Sequence, residues 1–321
     1  MAISKIGLGT WGLGGVYYGK VPFDQGVAAV RAYLDAGGRH IDTAFSYHQS
    51  EEVIGAAIKP YRREDLFITS KTYAGCGNRA EIPKVRTELE ISLRDLGTDY
   101  VDCYMIHGSP NDPDHLRALA DMFDKLKAEG KIRSIGASIR GPAVTDETLN
   151  TALLYIQSGR IDVVQLTYSI ARQKHAAAIA EAAKNKVGLI ARWVLESGML
   201  AGKYPIGHEF VWPDTRNRYR PAERDGILQI GLDIQKSLPP GFDSAVEVAV
   251  AFALAEPGVT GIVLGAHSAE QALRNCRLDA LPPLPADYVR MLKETCGPRN
   301  DQYNPTGEFE HVPSPRRPLD E

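Results

Sequence analysis

The sequence has no apolar run long enough to cross a bilayer. Its most apolar stretch, Ala245–Ala255, is interrupted by Glu247 and is much shorter than the about 20 residues of a transmembrane helix. The first 15 residues hold one lysine and no apolar segment of the kind that a secretory signal peptide contains. We therefore expect neither a membrane partner nor export.

Cysteine is also scarce, because the chain of 321 residues has only four. They lie far apart in the sequence and form no C-x-x-C pair, so they predict neither a metal site nor a disulfide framework. This usage is typical of a reducing compartment, and we expect a cytoplasmic protein. The four are Cys76, Cys103, Cys276 and Cys296.

An excess of charge of one sign is missing as well. The 37 basic and 40 acidic side chains give a formal net charge of −3, which argues against a nucleic-acid partner. With 44% hydrophobic and 24% charged residues, the composition is that of an ordinary globular protein rather than a disordered one.

Eight short runs rich in Val, Ile and Leu recur along the chain, with helical patterns between them. Their near-continuous apolar character is typical of strands in a parallel sheet that is covered on both faces. They lie at 7–11, 39–44, 66–71, 101–107, 133–138, 162–166, 188–193 and 260–265.

The spacing of these runs indicates their architecture. Counted between the predicted strand ends, from Thr10 to Gly265, the first six intervals are 27 to 36 residues long and the seventh is 73. Eight β-α units of this size predict an α/β fold, a (β/α)8 TIM barrel with a parallel eight-stranded barrel, and one domain over 1–321. We expect 201–242 to be a long βα loop over the barrel mouth and 297–321 to be an irregular C-terminal tail.

Several of the predicted strands end in a polar side chain. Because active sites of such barrels lie at the carboxyl ends of the strands, Asp42, Lys71 and His107 should meet on one rim. Each alone has an ordinary structural explanation, but three consecutive strands with such ends favour a site.

Tyr47 follows five residues after Asp42. A free phenol has a pKa of about 10, and a neighbouring ammonium favours its ionised form. Tyr47 beside Lys71 would therefore suit proton transfer near neutral pH.

These residues lie in stretches that resemble the signatures of the aldo-keto reductase family. The stretches HIDTAFSYHQSEEVIG, SLRDLGTDYVDCYMIHG and EGKIRSIGAS are similar to its three signatures, and VVQLTYS, SGMLAGKY and PGVTGIVLGAHSAEQALRN follow in family order. The resemblance covers about residues 5 to 275. It implies a barrel that binds NADPH or NADH in extended form and reduces a small aldehyde or ketone. It also implies a catalytic tetrad of Asp42, Tyr47, Lys71 and His107, with Tyr47 as proton donor and His107 orienting the carbonyl.

The resemblance also implies a set of cofactor-binding residues. Ser138 and Gln165 correspond to residues that bind the nicotinamide carboxamide, and Arg192 stands where many members have a stacking Tyr. Ile139 replaces the usual Asn after Ser138. Usual phosphate-gripping cations are missing near the last strand, where His267 or Arg274 would substitute; NADPH is favoured and NADH stays possible. Further expected cofactor contacts are Thr10, Trp11, Asp42, Gly265, His267, Ser268, Gln271 and Asn275.

Other interpretations stay open at this stage. The chain could be a non-catalytic nicotinamide-binding subunit that senses redox state, or a barrel hydrolase or isomerase with a carboxylate base. The run Gly7-x-Gly9-x-x-Gly12 matches a dinucleotide fingerprint, but it lacks the required strand and helix context. Neither the substrate nor the oligomeric state can be read from the sequence. Aromatic candidates for the pocket wall are Trp11, Tyr17, Trp193 and Trp212.

Overall fold

A computed structural model describes residues 4–15, 18–211, 214–298 and 302. Eight parallel strands form a closed barrel in which each strand pairs with the next and the eighth pairs with the first. The prediction of a (β/α)8 barrel is therefore confirmed. The strands are β1 Ile6–Gly9, β2 His40–Asp42, β3 Phe67–Thr72, β4 Val101–His107, β5 Ile132–Ser138, β6 Val163–Thr167, β7 Gly188–Arg192 and β8 Gly261–Gly265.

Helices cover the outside of the barrel. Ten α-helices are described: α1 Phe23–Asp35, α2 Ser50–Ile58, α3 Lys84–Leu96, α4 Pro113–Ala128, α5 Asp146–Gln157, α6 Ala176–Lys184, α7 Pro221–Lys236, α8 Ala245–Ala255, α9 Ala269–Arg277 and α10 Ala286–Cys296. None of the described helices is both long and apolar enough to cross a membrane.

The alternation of side chains along β4 separates the two sides of the barrel wall. Cys103 and Met105 face the interior, where they pack with Ile190, whereas Tyr104 packs outward on Phe123. Because successive strand residues point to opposite faces, His107 continues the interior row at the carboxyl end. The main apolar core lies between the barrel and the helices, and the small interior cluster forms the floor below the rim.

The structure corrects two expected boundaries. Lys71 and Gln165 are not the last residues of their strands, since β3 continues to Thr72 and β6 to Thr167. The segment 201–242 is not simply a loop, because it contains the whole of α7. Pro221 in the first turn and Glu223, which accepts from the Arg220 backbone N–H, begin this helix. Most of 297–321 lies outside the described residues, so the predicted tail and the extent of the domain stay predictions.

Candidate active site

A buried ion pair lies at the carboxyl end of the barrel. The Nζ atom of Lys71 lies 2.7 Å from Oδ1 of Asp42 and donates a second hydrogen bond of 2.7 Å to the carbonyl of Thr43. Both side chains are almost fully buried. Burial lowers the pKa of Lys71 because it penalises the ammonium, Asp42 opposes that shift, and the nearby Arg192 adds to it.

The second oxygen of Asp42 is also occupied. Nε2 of Gln165 donates to Oδ2 of Asp42 at 2.8 Å, and the Ser138 hydroxyl donates to Oε1 of Gln165 at 3.4 Å. The Thr10 hydroxyl donates to the backbone carbonyl of Asp42 at 2.8 Å. The carboxylate is therefore held in one orientation by Lys71 and Gln165, while Thr10 holds the backbone of the same residue.

Tyr47 lies in the turn that connects β2 to α2. Nζ of Lys71 lies 5.1 Å from the centroid of its ring, and the His107 ring centroid lies 5.8 Å away in an edge-on arrangement. The backbone of Gly14 presses on this turn, since a Cβ there would lie only 2.5 Å from the Tyr47 carbonyl oxygen. The four residues Asp42, Tyr47, Lys71 and His107, called the reaction centre below, thus come together as the sequence predicts.

Tyr73 covers the other side of His107. Its ring stacks on the imidazole with centroids 4.0 Å apart and an interplanar angle of 18°, while 43% of the residue stays exposed. Sequence reasoning did not single out Tyr73. Held between Tyr47 and Tyr73, the imidazole has little freedom to rotate.

A cavity of about 1080 Å³ opens above the reaction centre. Lys71, Ser138 and Ser268 are not among the described residues that line it; Lys71 and Ser138 are buried behind its wall. Of the four aromatic candidates, Trp11 and Trp193 line it, with ring centroids 6.0 Å apart, and Tyr17 and Trp212 lie outside the described residues. The predicted site residues that line it are Thr10, Trp11, Asp42, Tyr47, His107, Gln165, Arg192, Gly265, His267, Gln271 and Asn275.

Within the part of the chain that the structure describes, the Arg192 guanidinium forms no salt bridge across the rim. Its Nη2 donates to the backbone carbonyl of Ile139 at 2.5 Å, and its buried Nε has no hydrogen-bond partner among the described residues. Burial lowers the pKa of this group, with nearby tyrosines and Asp42 opposing the shift. Buried donors usually have a partner, so this unsatisfied Nε at the cavity wall is an exception among the described residues.

Part of the cavity wall beside β8 is glycine backbone without side chains. Gly265 pairs with Gly9 of β1, and a Cβ on Gly265 would find no atom closer than 3.9 Å, so its Cα faces open space. The helix α9 starts next to it. The Ser268 hydroxyl accepts from the backbone N–H of Gln271 at 3.3 Å, and Oε1 of Gln271 accepts from the backbone N–H of His267 at 2.7 Å. Ser268 therefore serves as a helix cap and does not reach the cavity.

Three cations on this side were missed by sequence reasoning. Lys203, Arg216 and Arg218, called the loop cations below, follow β7 and line the cavity. Arg216 is fixed by a two-pronged contact with Asp214, with distances of 2.6 and 2.9 Å, and donates to the carbonyl of Ser197 at 3.2 Å. The stretch SGMLAGKY, noted for its family order, was the one available signal for Lys203.

The same loop contains backbone in the left-handed region. Trp193, Glu196 and Ser197 have φ values of 62°, 47° and 56°, which non-glycine residues adopt at a cost. A buried ion pair holds this segment: Nη2 of Arg172 lies 2.9 Å from Oε2 of Glu196, and the Ser169 hydroxyl donates to the same carboxylate at 2.6 Å. The strained turn directs Trp193 and Ser197 to the cavity wall.

Comparison with known proteins gives a consistent result. A sequence model described as "Aldo/keto reductase family" matches residues 5–296. The chain is similar to the aldo-keto reductase YhdN of Bacillus subtilis, with 30% identity over 84% of this chain and 82% of the relative. It is also similar to an NADH-specific methylglyoxal reductase of Escherichia coli, with 27% identity over 86% and 89% of the two chains.

A solved structure resembles the whole barrel. An aldo-keto reductase from Klebsiella pneumoniae in complex with NADPH superposes with a TM-score of 0.71 and is 25% identical, over 96% of both chains.

Proposed function

The chain belongs to the aldo/keto reductase family, and on that premise we propose that it reduces the carbonyl of a small aldehyde or ketone to an alcohol with NADPH or NADH as reductant. The observation that carries the proposal is the reaction centre: a tyrosine beside a buried lysine–aspartate pair, with a histidine opposite, at the floor of one large cavity.

The cavity has features that fit a nicotinamide dinucleotide. Its volume of about 1080 Å³ suits a ligand of that size. Gln165 and Arg192 line the cavity near Asp42, where a carboxamide would lie, and Ser138 supports Gln165 from behind the wall. At the other end, the loop cations would hold the pyrophosphate, and the open Cα of Gly265 lets a ligand approach the backbone. A bound reduced nicotinamide would supply the hydride for the carbonyl carbon.

Tyr47 is the proposed proton donor. When a carbonyl is reduced, negative charge develops on its oxygen. A nearby acid that gives its proton to this oxygen lowers the activation barrier of the reduction. The ammonium of Lys71 stabilises the phenolate that Tyr47 becomes. Asp42 keeps Lys71 charged and in place, against the burial that favours its neutral form. Lys71 and Asp42 thus act on the phenol and do not need to touch the substrate.

His107 is the proposed orienting residue. Its ring faces Tyr47 edge-on and cannot swing away, because Tyr73 stacks on its other face. A hydrogen bond from the imidazole would hold the carbonyl oxygen next to the phenol. Positioning of this kind converts a loose encounter into one reactive geometry.

The choice between NADPH and NADH depends on the β8 side. Arg274 is exposed and lines the cavity there with His267, whose pKa is lowered mainly by burial. A neutral imidazole contributes little to binding a 2′-phosphate, so Arg274 is the proposed contact and NADPH the proposed cofactor. NADH remains the alternative, which one relative uses by its name. The KM values for the two cofactors decide this point.

The cytoplasm is the proposed location. All four cysteines are free thiols, which is the usual state in a reducing compartment.

The test of the proposed donor is Tyr47→Phe. We expect methylglyoxal and 4-nitrobenzaldehyde to be reduced about 10³-fold more slowly, because the phenolic proton is lost while the ring remains. The dissociation constant for NADPH, measured by fluorescence titration, should change less than about threefold. Tyr73→Phe is the matched control; it removes a hydroxyl from the same rim, keeps the stacked ring, and should leave kcat nearly unchanged.

Two outcomes would contradict this assignment. If Tyr47→Phe retains its turnover, another group donates the proton. If the wild-type protein binds NADPH but turns over no carbonyl, the alternative of a non-catalytic, redox-sensing subunit is favoured.

A further inference from the structure

The charged side chains around the cavity are mostly positive. The residues that line it include two carboxylates, Asp42 and Glu147, and Asp42 is already engaged by Lys71 and Gln165. Six lining residues are cationic: Arg140, Arg192, Lys203, Arg216, Arg218 and Arg274. Most of these lie on the side of β7 and β8, where the cofactor phosphates are proposed to bind.

Arg140 lies on the opposite side, next to the proposed substrate. It belongs to the connection between β5 and α5, two residues after Ser138. Cys76 lies in the loop after β3, and burial raises the pKa of its thiol to about 12. The positive charge of Arg140 is close enough to oppose this shift. The rim formed by the ends of β3, β4 and β5 also carries Tyr73 and His107. Arg140 therefore shares a wall with the residue that would orient the carbonyl.

The backbone on both sides of Arg140 is fixed. Nη2 of Arg192 binds the carbonyl of Ile139, and a Cβ on Gly141 would lie only 2.9 Å from that same nitrogen. The origin of the Arg140 side chain is thus held, although the side chain itself is exposed. None of the ion pairs and hydrogen bonds among the described residues involves this guanidinium. Its five N–H donors are therefore available to a ligand in the cavity that it lines.

On the premise of carbonyl reduction at this site, we propose that Arg140 binds an anionic group of the substrate, so that the preferred substrates are aldehydes or ketones that carry a carboxylate. A planar guanidinium matches a carboxylate with two parallel hydrogen bonds, which fixes both distance and orientation. A substrate anchored at Arg140 by its carboxylate would extend its carbonyl along the wall toward His107 and Tyr47. Arg140 is thereby a specificity-determining residue and takes no part in proton transfer.

The test compares two aldehydes of the same shape, 4-carboxybenzaldehyde and its neutral amide, 4-formylbenzamide. The measured quantity is the ratio of their kcat/KM values in the wild type and in Arg140→Gln. We expect this ratio to fall about tenfold in the variant, mainly through the KM of the carboxylate, because the lost contact is made in both ground and transition state. Arg140→Glu should lower the ratio further.

Arg79→Gln is the matched control. Arg79 is an exposed cation on the loop after β3 that does not line the cavity, so its removal should leave the ratio within about twofold. The KM for NADPH should stay unchanged in Arg140→Gln. An unchanged ratio, an equal loss for both aldehydes, or a raised KM for NADPH would each overturn the proposal.

A binding measurement distinguishes a failure of the anion site from a failure of the proposed function. Trp11 and Trp193 line the cavity, so quenching of tryptophan fluorescence by each aldehyde measures binding without turnover. If the wild type reduces neither aldehyde, the proposed function fails. The anion site would still be supported if Arg140→Gln bound 4-carboxybenzaldehyde more weakly than the wild type does, with binding of 4-formylbenzamide unchanged. Equal binding of 4-carboxybenzaldehyde by the two proteins would refute it.

Discussion

Two buried carboxylates, Asp42 and Asp102, contact cations at opposite ends of the barrel, and these two contacts have different consequences. At the carboxyl end, Asp42 binds Lys71 at 2.7 Å. At the amino end, Asp102 near the start of β4 binds Arg63 at 2.7 Å and Arg133 at 3.1 Å. The charges and distances are similar. What differs is the environment, because Asp42 lines the cavity beside Tyr47, whereas neither Asp102 nor its two arginines line that cavity.

The contact at the amino end holds strand starts together. Asp102 also accepts a hydrogen bond from the backbone N–H of Ile68 at 3.0 Å, and the Tyr100 ring lies between the two guanidinium groups, 4.0 and 3.9 Å from them. Both cations that contact Asp102 are arginines, which keep their charge. The pair at the carboxyl end instead uses a lysine, whose pKa burial can shift. An ion pair is therefore informative about chemistry only together with what it faces.

The sharpest way to break this comparison is Lys71→Met. We expect kcat for aldehyde reduction to fall about 10³-fold, within the range of acid–base contributions, because the phenolate of Tyr47 loses its cation. Steady-state kinetics at saturating NADPH measure this effect. Arg63→Met is the control, since it removes a cation from the other pair and should change kcat less than about twofold. A kcat of Lys71→Met within tenfold of the wild type would mean that the two pairs do not differ as described.

A second prediction concerns His40, which lies between the two pairs. Burial lowers its pKa from 6.5 to about 4, although Asp42 and Asp102 both oppose this shift. The folded state therefore binds this proton less readily than the unfolded chain, and the stabilisation is complete above pH 6.5 and is lost as the pH falls toward 4. The difference between the two pKa values corresponds to about 3 kcal/mol in the free energy of unfolding.

The variant His40→Gln isolates that contribution. Urea unfolding at pH 7 and pH 4.5 should show a drop in the free energy of unfolding that is about 2 to 3 kcal/mol smaller in the variant than in the wild type. The buried His175, whose pKa is also lowered to about 4, is present in both proteins and cancels. Equal drops in the two proteins would show that His40 does not titrate in this way.

The smallest expected effect is at the amino end. Asp102→Asn should lower the free energy of unfolding by about 2 kcal/mol, because hydrogen bonds to a buried charge are lost, while kcat stays unchanged. Arg133→Gln should cost less than about 1 kcal/mol, since 54% of that side chain is exposed. Urea titration and steady-state kinetics on the same preparations separate stability from activity. A marked loss of kcat in Asp102→Asn would remove the distinction between the two ends.

The reaction centre could be predicted because strands impose a period. Asp42, Lys71 and His107 follow apolar runs at regular intervals, and a parallel barrel brings all carboxyl ends to one rim. The loop cations and Arg140 follow no such rule. Their positions depend on contacts such as Arg216 with Asp214 or Arg192 with Ile139, which only the folded chain defines.

The helix α7 was missed for a different reason. Its segment is rich in Pro, Gly and Arg, a composition typical of loops, and it contains Gly226 and Gly231. The structure explains the second glycine, since a Cβ there would lie 2.9 Å from the backbone of Leu200. Close packing of α7 on the segment at Leu200 thus requires a glycine, a residue that lowers the helix propensity of the sequence. Pro221 and Glu223, a helix-start pattern, were present in the sequence.

The hydrogen bond between Gln165 and Asp42 joins β6 to β2, strands on opposite sides of the barrel and 123 residues apart in the chain. The carboxylate that steadies the lysine is thus completed by a residue synthesised much later. No fragment that ends before β6 can hold it in this orientation. Catalytic activity should therefore return later than helical structure during refolding. Enzymatic turnover would then report when the barrel has closed.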